Sequence, residues 1–209
     1  ITTVKAEGLN KGVYSDAASL LQGKVAGLVV TTSGDPNGTP SITLRGASSL
    51  RTGEAMQPYY VIDGIPGVDI SMVSPDDIES IDVLRDPTAT SIYGSKAANG
   101  VIIINTKKGK KGAERTSVTY NGYAAFDVVA KKLDMASAGD LRNYAKDDVA
   151  EFFRTGITTN NSVSVSGGTE KVQTYFSIGN SHANGMIRNN SYNRNTMAFR
   201  QNYKLFDKL

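Results

Sequence analysis

The sequence predicts an α+β body followed by a series of antiparallel β-strands. Up to about residue 112, short apolar runs alternate with turns rich in glycine and proline. From residue 113 onward, apolar and polar residues alternate with a period of two over long segments, as in the run 116–128. This change of pattern predicts two domains, residues 1–112 and residues 113–209.

A short amphipathic helix is expected near the N-terminus. Ser15 can cap its first turn, and Gly27 lies just beyond its end. The apolar face of this helix is made of four residues at helical spacing: Ala17, Leu20, Leu21 and Val25.

Three short strands are expected to follow, at 28–32, 41–45 and 59–62. The dipeptide Asp63-Gly64 is typical of a turn and marks the end of the third strand. If the second and third strands are joined as a hairpin, they are antiparallel, and the loops before and after them emerge at the same end.

Residues 77–94 are expected to form a strand and then a helical turn. The strand carries apolar residues interrupted by acids. Asp86 can cap a helix whose first position is Pro87, where a missing N–H costs nothing. Gly94 is then expected to end that helix.

The dipeptide Asn99-Gly100 predicts a tight turn with a positive φ angle at the glycine. It leads into the segment 101–104, which is apolar and β-branched throughout. Such a run favours burial on both faces. We therefore expect a central strand here, with Ile103 inside the core.

The C-terminal part contains four alternating runs, at 116–128, 162–166, 171–178 and 197–205. Only the turn 167–170 separates the second run from the third, whereas the other connections, 131–157 and 182–192, are long and polar. Short turns on one side and long loops on the other are typical of outer-membrane barrels. A soluble β-sandwich also alternates in this way. In a barrel, the even positions of the first run face lipid, and Asn121 and Asp127 face the lumen.

The composition excludes several kinds of site. The chain has no cysteine and a single histidine, so neither a thiolate site nor a histidine-cluster metal site is expected. That histidine, His182, falls in a predicted loop without a nucleophile beside it in sequence. No glycine-rich phosphate motif occurs. We expect neither enzyme activity nor a cofactor.

The charge pattern offers two further candidates, a basic run and an acidic group. The net charge is +3, and we interpret the basic run 107–111 as a solvated linker rather than as a nucleic-acid or anionic-lipid patch. The absence of interleaved aromatic residues further weakens a nucleic-acid site. The acids of the other candidate lack the spacing of a calcium loop and are interpreted as turn caps and solvated strand positions. They are Asp76, Asp77, Glu79 and Asp82.

Six short motifs occur in an order that resembles the SusC/RagA branch of TonB-dependent outer-membrane transporters. They are LQGKVAG at 21–27, LRG at 44–46, YVIDG at 60–64, DIESIDVLRD at 77–86, IYGS at 92–95 and AANGVIII at 97–104. The resemblance is strong over residues 1–112 and weaker beyond. It implies that residues 1–112 are a plug domain and that residues 113–209 are the first transmembrane strands of an incomplete barrel of about 22 strands.

The resemblance also implies a function. It implies TonB-dependent import of a nutrient across the outer membrane, with an oligosaccharide favoured over an oligopeptide as the ligand. The implied partners are a SusD-like surface lipoprotein, outer-membrane lipid and TonB, the last through a segment absent from this chain; nucleic acid is not among them. The alternative is a soluble surface ligand-binding β-domain without transport activity.

Two sets of site residues follow from this interpretation. Residues of the plug signature and of plug–barrel contacts are expected at Arg45, Gly46, Asp63, Gly64, Glu79, Arg85, Tyr93, Gly94, Asn99 and Gly100. Among them, Arg45 and Arg85 end buried-looking strands and need carboxylate or carbonyl partners, and Glu79 is the nearest acid. The loops 33–40 and 65–75 are expected to face the ligand. Their short polar side chains suited to its hydroxyl or amide groups are Asp35, Asn37, Asp69 and Ser71.

Overall fold

The computed structural model describes residues 1–9, 14, 16–32, 35–44, 46, 56–86, 91–109, 112–129 and 153–204. All helical segments in these ranges are short 3₁₀ turns. No helix in the described part of the chain has the length and apolar character needed to cross a membrane. The strands, in chain order, are β1 (Thr2–Lys5), β2 (Leu28–Thr31), β3 (Ser41–Leu44), β4 (Tyr59–Ile62), β5 (Ile65–Pro66), β6 (Ile78–Leu84), β7 (Val101–Thr106), β8 (Ala113–Asp127), β9 (Gly156–Gly168), β10 (Val172–Asn184) and β11 (Ser191–Tyr203).

A mixed five-stranded sheet organises the N-terminal part, which we call the body. Its strand order is β1-β6-β7-β4-β5. β7 lies at the centre, antiparallel to β6 and parallel to β4, so the predicted central strand is confirmed. Ile102 and Ile104 are fully buried in the main core, whereas Ile103 is only partly buried on the other face. The expectation that Ile103 lies deep inside was therefore wrong.

The predicted hairpin between strands 41–45 and 59–62 does not form. β3 pairs with β2 in a separate two-stranded sheet, and β4 pairs with β7 on one side and β5 on the other. The physical reason is that the apolar strand β7 gives β4 a buried partner, which leaves no free edge of β4 for β3. Both edges of β4 are thus occupied, by β5 and β7.

The predicted helix after Ser15 is reduced to the 3₁₀ turn Ala17–Leu21. Its cap is Asp16, whose carboxylate accepts a hydrogen bond of 2.6 Å from the Ala18 N–H. Ser15 lies outside the described residues. Gly23 and Gly27 both have positive φ angles, of 73° and 77°, and they turn the chain before a longer helix can develop.

The segment Ser91–Ala97 consists of two 3₁₀ turns joined at Gly94, whose φ and ψ angles are 70° and −160°. The sequence had suggested that Gly94 ends a helix. This was wrong, because Gly94 lies between two turns. Pro87 falls outside the described residues. The predicted turn at Asp63-Gly64 is confirmed: both residues have positive φ angles, of 49° and 85°, and they join β4 to β5.

The four C-terminal strands form a continuous antiparallel sheet, which we call the wall sheet, in the order β11-β10-β9-β8. The even residues of β8 from 116 to 126 are exposed, and Asn121 on the other face is half-buried, as the alternation predicted. His182 lies within β10 rather than in a loop, because this strand continues to Asn184. Most of the predicted connection 131–157 falls outside the described residues, although β9 already begins at Gly156.

Candidate functional site between the body and the wall sheet

The body and the wall sheet meet through polar side chains. The turn Pro75–Asp77, directly before β6, places two neighbouring carboxylates against β9 and β10. Asp76 Oδ2 accepts hydrogen bonds from Asn160 Nδ2 at 2.8 Å and from Ser162 Oγ at 2.9 Å. Because Asn160 and Ser162 are two positions apart on β9, both side chains point to the same face of the wall sheet.

Asp77 makes the equivalent contact with the next strand. Its two carboxylate oxygens accept hydrogen bonds from the Tyr175 hydroxyl at 2.8 Å and from Ser177 Oγ at 2.9 Å, both on β10. Asp77 is only 5% exposed. A carboxylate in such a place needs hydrogen-bond donors to offset the loss of water, and the wall sheet supplies them.

Lys107 fixes the same turn from the body side. Its N–H donates to the Asp77 carbonyl at 2.8 Å, and its Nζ donates to the Asp76 carbonyl at 2.6 Å. The turn that carries the two carboxylates is therefore held by the end of β7 as well as by the wall sheet. Lys107, which the sequence placed in a solvated basic run, has a structural contact here.

A second contact joins the β4–β5 turn to β11. Asp63 accepts hydrogen bonds from the Thr106 N–H at 2.9 Å and from the Thr106 hydroxyl at 2.5 Å. Its carboxylate lies 3.6 Å from Arg200 Nε, and the guanidinium of Arg200 stands 5.6 Å from the centre of the Tyr175 ring. Arg200 Nη1 is buried without a hydrogen-bond partner among the described residues.

The predicted ligand loops both contact the β10–β11 end of the wall sheet. The Asn37 amide donates to Asn190 Oδ1 at 2.9 Å and to the Ser191 carbonyl at 3.0 Å. The Asn190 amide donates to Asp35 at 3.0 Å, and this bond, with the Asn37 N–H, lowers the pKa of Asp35 below its ordinary value. The loops thus emerge at one end, although the hairpin used to predict this does not exist.

The other predicted loop has the same neighbour. Asp69 accepts a hydrogen bond of 2.8 Å from the Ser71 N–H, which caps the turn Ile70–Met72. The carbonyl of Ser71 in turn accepts a hydrogen bond from Arg194 on β11. Asp69 and Ser71 therefore build a turn, and the Ser71 carbonyl also contacts the wall sheet, while both side chains remain exposed.

A cleft of about 320 Å³ lies between the body and one end of the wall sheet, where β8 and β10 end and β9 begins. Its lining combines polar groups of the body with wall residues and includes Tyr14, Ser19, Asp35, Asp127, Thr158 and Met186. Near it, burial raises the pKa of the Asp16 carboxyl above 3.8; the Ala18 N–H and Arg194 act in the opposite sense, and Asp69 adds to the increase. Two acids, Asp35 and Asp127, line the cleft itself.

The remaining predicted residues stabilise the body itself. The Arg85 guanidinium donates to the Ala26 carbonyl at 2.6 Å and to the Thr2 hydroxyl at 3.1 Å. Of the carboxylate or carbonyl partners expected for Arg85, the structure shows a carbonyl and not Glu79, which is exposed. The Tyr93 ring lies 6.4 Å from that of Tyr59. Arg45 falls outside the described residues.

The signature glycines and Asn99 lie in turns of the body. The Asn99 amide reaches the Gln57 carbonyl at 3.4 Å. Gly46 and Gly100 have φ angles of 80° and 95°, so the predicted positive φ at Gly100 is confirmed. A Cβ atom on Gly100 would stand 2.3 Å from Leu44 Cδ2. Glycine is therefore favoured at this position both by the positive φ angle and by the close packing of Leu44.

Sequence reasoning missed the two neighbouring acids that accept hydrogen bonds from β9 and β10. Asp76 and Asp77 were interpreted as caps and solvated positions, whereas they bind β9 and β10. The sequence did contain one signal: along these strands polar residues alternate with apolar ones, which places the polar residues together on the inner face. This face offers donors, but only the register of the strands places them opposite the acids. Nothing in the arrangement resembles a catalytic group, and the described residues contain no cluster of three or more potential metal ligands.

Comparison with known proteins gives a consistent result. Residues 1–101 match the family model of the TonB-dependent receptor plug domain. The TonB-dependent receptor SusC of Bacteroides thetaiotaomicron is 37% identical over 224 residues, which cover 95% of this chain and 22% of SusC. The TonB-dependent receptor P39 of Formosa agariphila is 33% identical, with 98% of this chain and 22% of P39 covered. The chain thus spans about a fifth of the length of these relatives.

Solved structures agree with these matches. The RagAB peptide transporter superposes with a TM-score of 0.84 at 28% identity, covering 99% of this chain and 29% of that chain. The siderophore receptor PirA from Acinetobacter baumannii superposes with a TM-score of 0.66 at 20% identity, covering 99% and 29%, which supports the fold alone. The matched proteins are receptors and importers, not enzymes.

Proposed function

The chain belongs to the SusC/RagA type of TonB-dependent receptors, and from that premise we propose that the full-length protein imports a nutrient across the outer membrane. The observation that carries the proposal is the polarity of the wall sheet. Its inner face offers polar groups to the body, and its outer face exposes apolar side chains such as Val118, Ile178 and Phe199. This pattern suits a barrel wall in lipid around a polar plug.

We propose that residues 1–112 are the plug and that residues 113–209 are the first strands of the barrel. An open sheet edge in lipid leaves backbone groups unpaired at a cost of several kcal/mol each. In this proposal, β8 and β11 therefore pair with further strands of a closed, multi-pass barrel of about 22 strands.

In the proposed mechanism, the body occludes the barrel and opens it by breaking its contacts with the wall sheet. These contacts are side-chain hydrogen bonds of Asp76 and Asp77 and the ion pair of Asp63 with Arg200. Water can replace the hydrogen bonds at a net cost of about 1.5–3 kcal/mol each, the range for bonds to a charged group. The apolar core of the body does not have to open for them to break.

The proposed partners are TonB on the periplasmic side and a SusD-like lipoprotein over the external mouth. Support for the second partner comes from the similarity to SusC and to RagAB, whose structure is described as a peptide importer. As the substrate we propose an oligosaccharide rather than an oligopeptide, following the SusC/RagA resemblance. Uptake measured with labelled glycans and labelled peptides decides between them, and uptake of peptides alone would overturn the glycan assignment.

We propose that Asp35, Asn37, Asp69 and Ser71 border the ligand site, because all four are exposed and Asp35 lines the cleft. The test is the full-length receptor with all four residues changed to Ala. Ligand affinity is expected to fall while the protein stays in the outer membrane at normal levels. Unchanged affinity would remove these loops from the binding site.

Fractionation of cells that express the full-length protein tests the function itself. The proposed transporter is expected in the outer membrane, to require detergent for extraction, and to lose uptake when TonB is deleted. A protein that is released without detergent and binds ligand without uptake would instead be the soluble surface-binding domain.

A further inference from the structure

The outer face of the wall sheet changes its chemistry along the strands. Val163, Ile178 and Met197 lie directly opposite one another on β9, β10 and β11, and all three are exposed. Two positions further toward the β10–β11 turn, the same three strands present Asn161, Asn180 and Asn195, again as direct partners. An apolar row is thus followed at once by an amide row.

The two rows are close enough to be spanned by one molecule. Residues two positions apart on a strand are separated by about 7 Å. An unsatisfied amide in hydrocarbon costs several kcal/mol, so the amide row marks the place where hydrocarbon ends on β10 and β11, whose next outward residues are His182 and Asn193. The apolar row below it remains suited to acyl chains.

The amides are only partly satisfied by the protein. Asn180 Nδ2 donates to Asn195 Oδ1 at 2.7 Å, and the Tyr120 hydroxyl donates to Asn161 Oδ1 at 2.7 Å. Within the described part of the chain, these contacts leave the amide oxygen of Asn180 and the N–H groups of Asn161 and Asn195 for another partner. The row therefore offers both donors and an acceptor on an exposed surface.

A shallow cleft of about 390 Å³ lies at the border between the two rows. It is lined by Asn161, Val163, Ile178, Asn180, Asn195 and Met197, with Gly179 and Thr196 beneath. No lining side chain is charged. A phosphate placed here would find no cation, whereas hydroxyl and amide groups would find hydrogen-bond partners of their own kind.

We propose that this cleft binds an acylated sugar lipid of the outer membrane leaflet. The acyl chain lies against Val163, Ile178 and Met197, and the hydroxyl and amide groups of the sugar bind the amide row. The inference rests on the proposed function, since it requires this face to lie in the outer membrane with the β10–β11 turn on the external side.

Native mass spectrometry of the full-length receptor, extracted from outer membranes in mild detergent, tests the site. The triple variant Asn161→Leu, Asn180→Leu, Asn195→Leu is expected to retain about tenfold less glycolipid than the wild type, the effect of losing hydrogen bonds worth roughly 1.4 kcal/mol in total. The matched control is Thr174→Leu with Gln201→Leu, a polar pair on the same face but outside the cleft. This control is expected to retain the lipid.

Equal glycolipid in the triple variant and the wild type would overturn the site, as would binding of sugar-free phospholipid only. Loss of a receptor dimer in the triple variant would also overturn it and would identify an interface between copies. If the triple variant does not assemble, a photo-crosslinking amino acid in place of Asn193 decides instead. A crosslink to glycolipid supports the site, and a crosslink to protein or none overturns it. Nutrient uptake distinguishes the proposals, because failure of the lipid site alone leaves uptake intact.

Discussion

The body and the wall sheet bury opposite kinds of residue. The core of the body is aliphatic, with Ile102 and Ile104 fully enclosed, and its contacts with the wall sheet are polar. The wall sheet buries Ser162 and Ser177 toward the body and exposes Ile178 and Phe199 on its other face. In the body, apolar residues avoid water by packing together, whereas in the wall sheet they face outward. Both parts are built from β-strands, so strand structure alone does not decide which side chains are buried. What lies against each face of the sheet decides it.

A charge in the core of the body is expected to have the largest effect. Ile104→Asp places an unpaired carboxylate between β6 and β4, where the wild-type residue is 0% exposed. We expect the free energy of unfolding to fall by more than about 4 kcal/mol, so that little folded receptor reaches the outer membrane. Ile103→Asp is the matched control, because Ile103 is partly buried and should cost less. Equal receptor levels for the two variants would contradict this account of the core.

Removal of a carboxylate at the polar interface is expected to have the next largest effect. Asp77→Ala leaves the Tyr175 and Ser177 hydroxyls without their acceptor, at a cost of about 2–4 kcal/mol. This loss of stability is measured by the amide hydrogen exchange rate of the Pro75–Asp77 turn in the full-length receptor. Exchange should rise less in Ser177→Ala than in Asp77→Ala, and the effects of the two substitutions should not be additive in the double variant. Additive effects would mean that the two side chains do not interact.

A side chain at the Gly100 turn tests packing within the body. Gly100→Ala combines a positive φ angle of 95° with a Cβ atom that would lie 2.3 Å from Leu44 Cδ2, and we expect a loss of about 1–3 kcal/mol. At Gly64 the φ angle is also positive, 85°, but nothing lies within 4 Å of an added Cβ atom. Gly64→Ala should therefore cost less in a thermal unfolding measurement. If both cost the same, close packing at Gly100 has no effect.

Two acids of the body are expected to respond to pH in opposite directions, with the smallest effects. The folded-state pKa of Asp16 is raised, mainly by burial, so its charged form is penalised and stability falls as the pH rises through this pKa. Asp16→Asn should therefore raise the Tm at neutral pH, and the gain should vanish near pH 3.8. For Asp35, whose pKa is lowered, stability is lost as the pH falls, and Asp35→Asn should not raise the Tm. A parallel response of both variants would contradict the assignment.

The sequence was sufficient for features that depend on local pattern. The central strand β7, the turn at Gly100 and the alternation in the wall sheet follow from residue type and spacing, and all three are confirmed. Pairing between distant segments was not predictable. β3 pairs with β2 because β7 and β5 occupy both edges of β4, and that competition depends on the whole sheet.

The same limit applies to the site. Asp76 and Asp77 carry no local mark that separates an interface acid from a turn cap. Their partners lie 84 to 100 residues away, and only the register of β9 and β10 places the donors opposite them. The turn at Asp63-Gly64 was predicted because the positive φ angle that it requires is a local property, whereas the contact of Asp63 with Arg200 on β11 was not predicted.

The central claim is that the outer face of the wall sheet contacts lipid and the body does not. Fluorescence quenching tests this claim most directly. Ile178 in the wall sheet is 52% exposed and Val29 in the body is 57% exposed, so exposure alone does not distinguish them. Single Ile178→Cys and Val29→Cys variants of the full-length receptor, labelled with one fluorophore, are placed in vesicles of lipids brominated on the acyl chain. Strong quenching at position 178 and none at position 29 is the predicted result. Equal quenching at both positions, or none at position 178, would contradict the account.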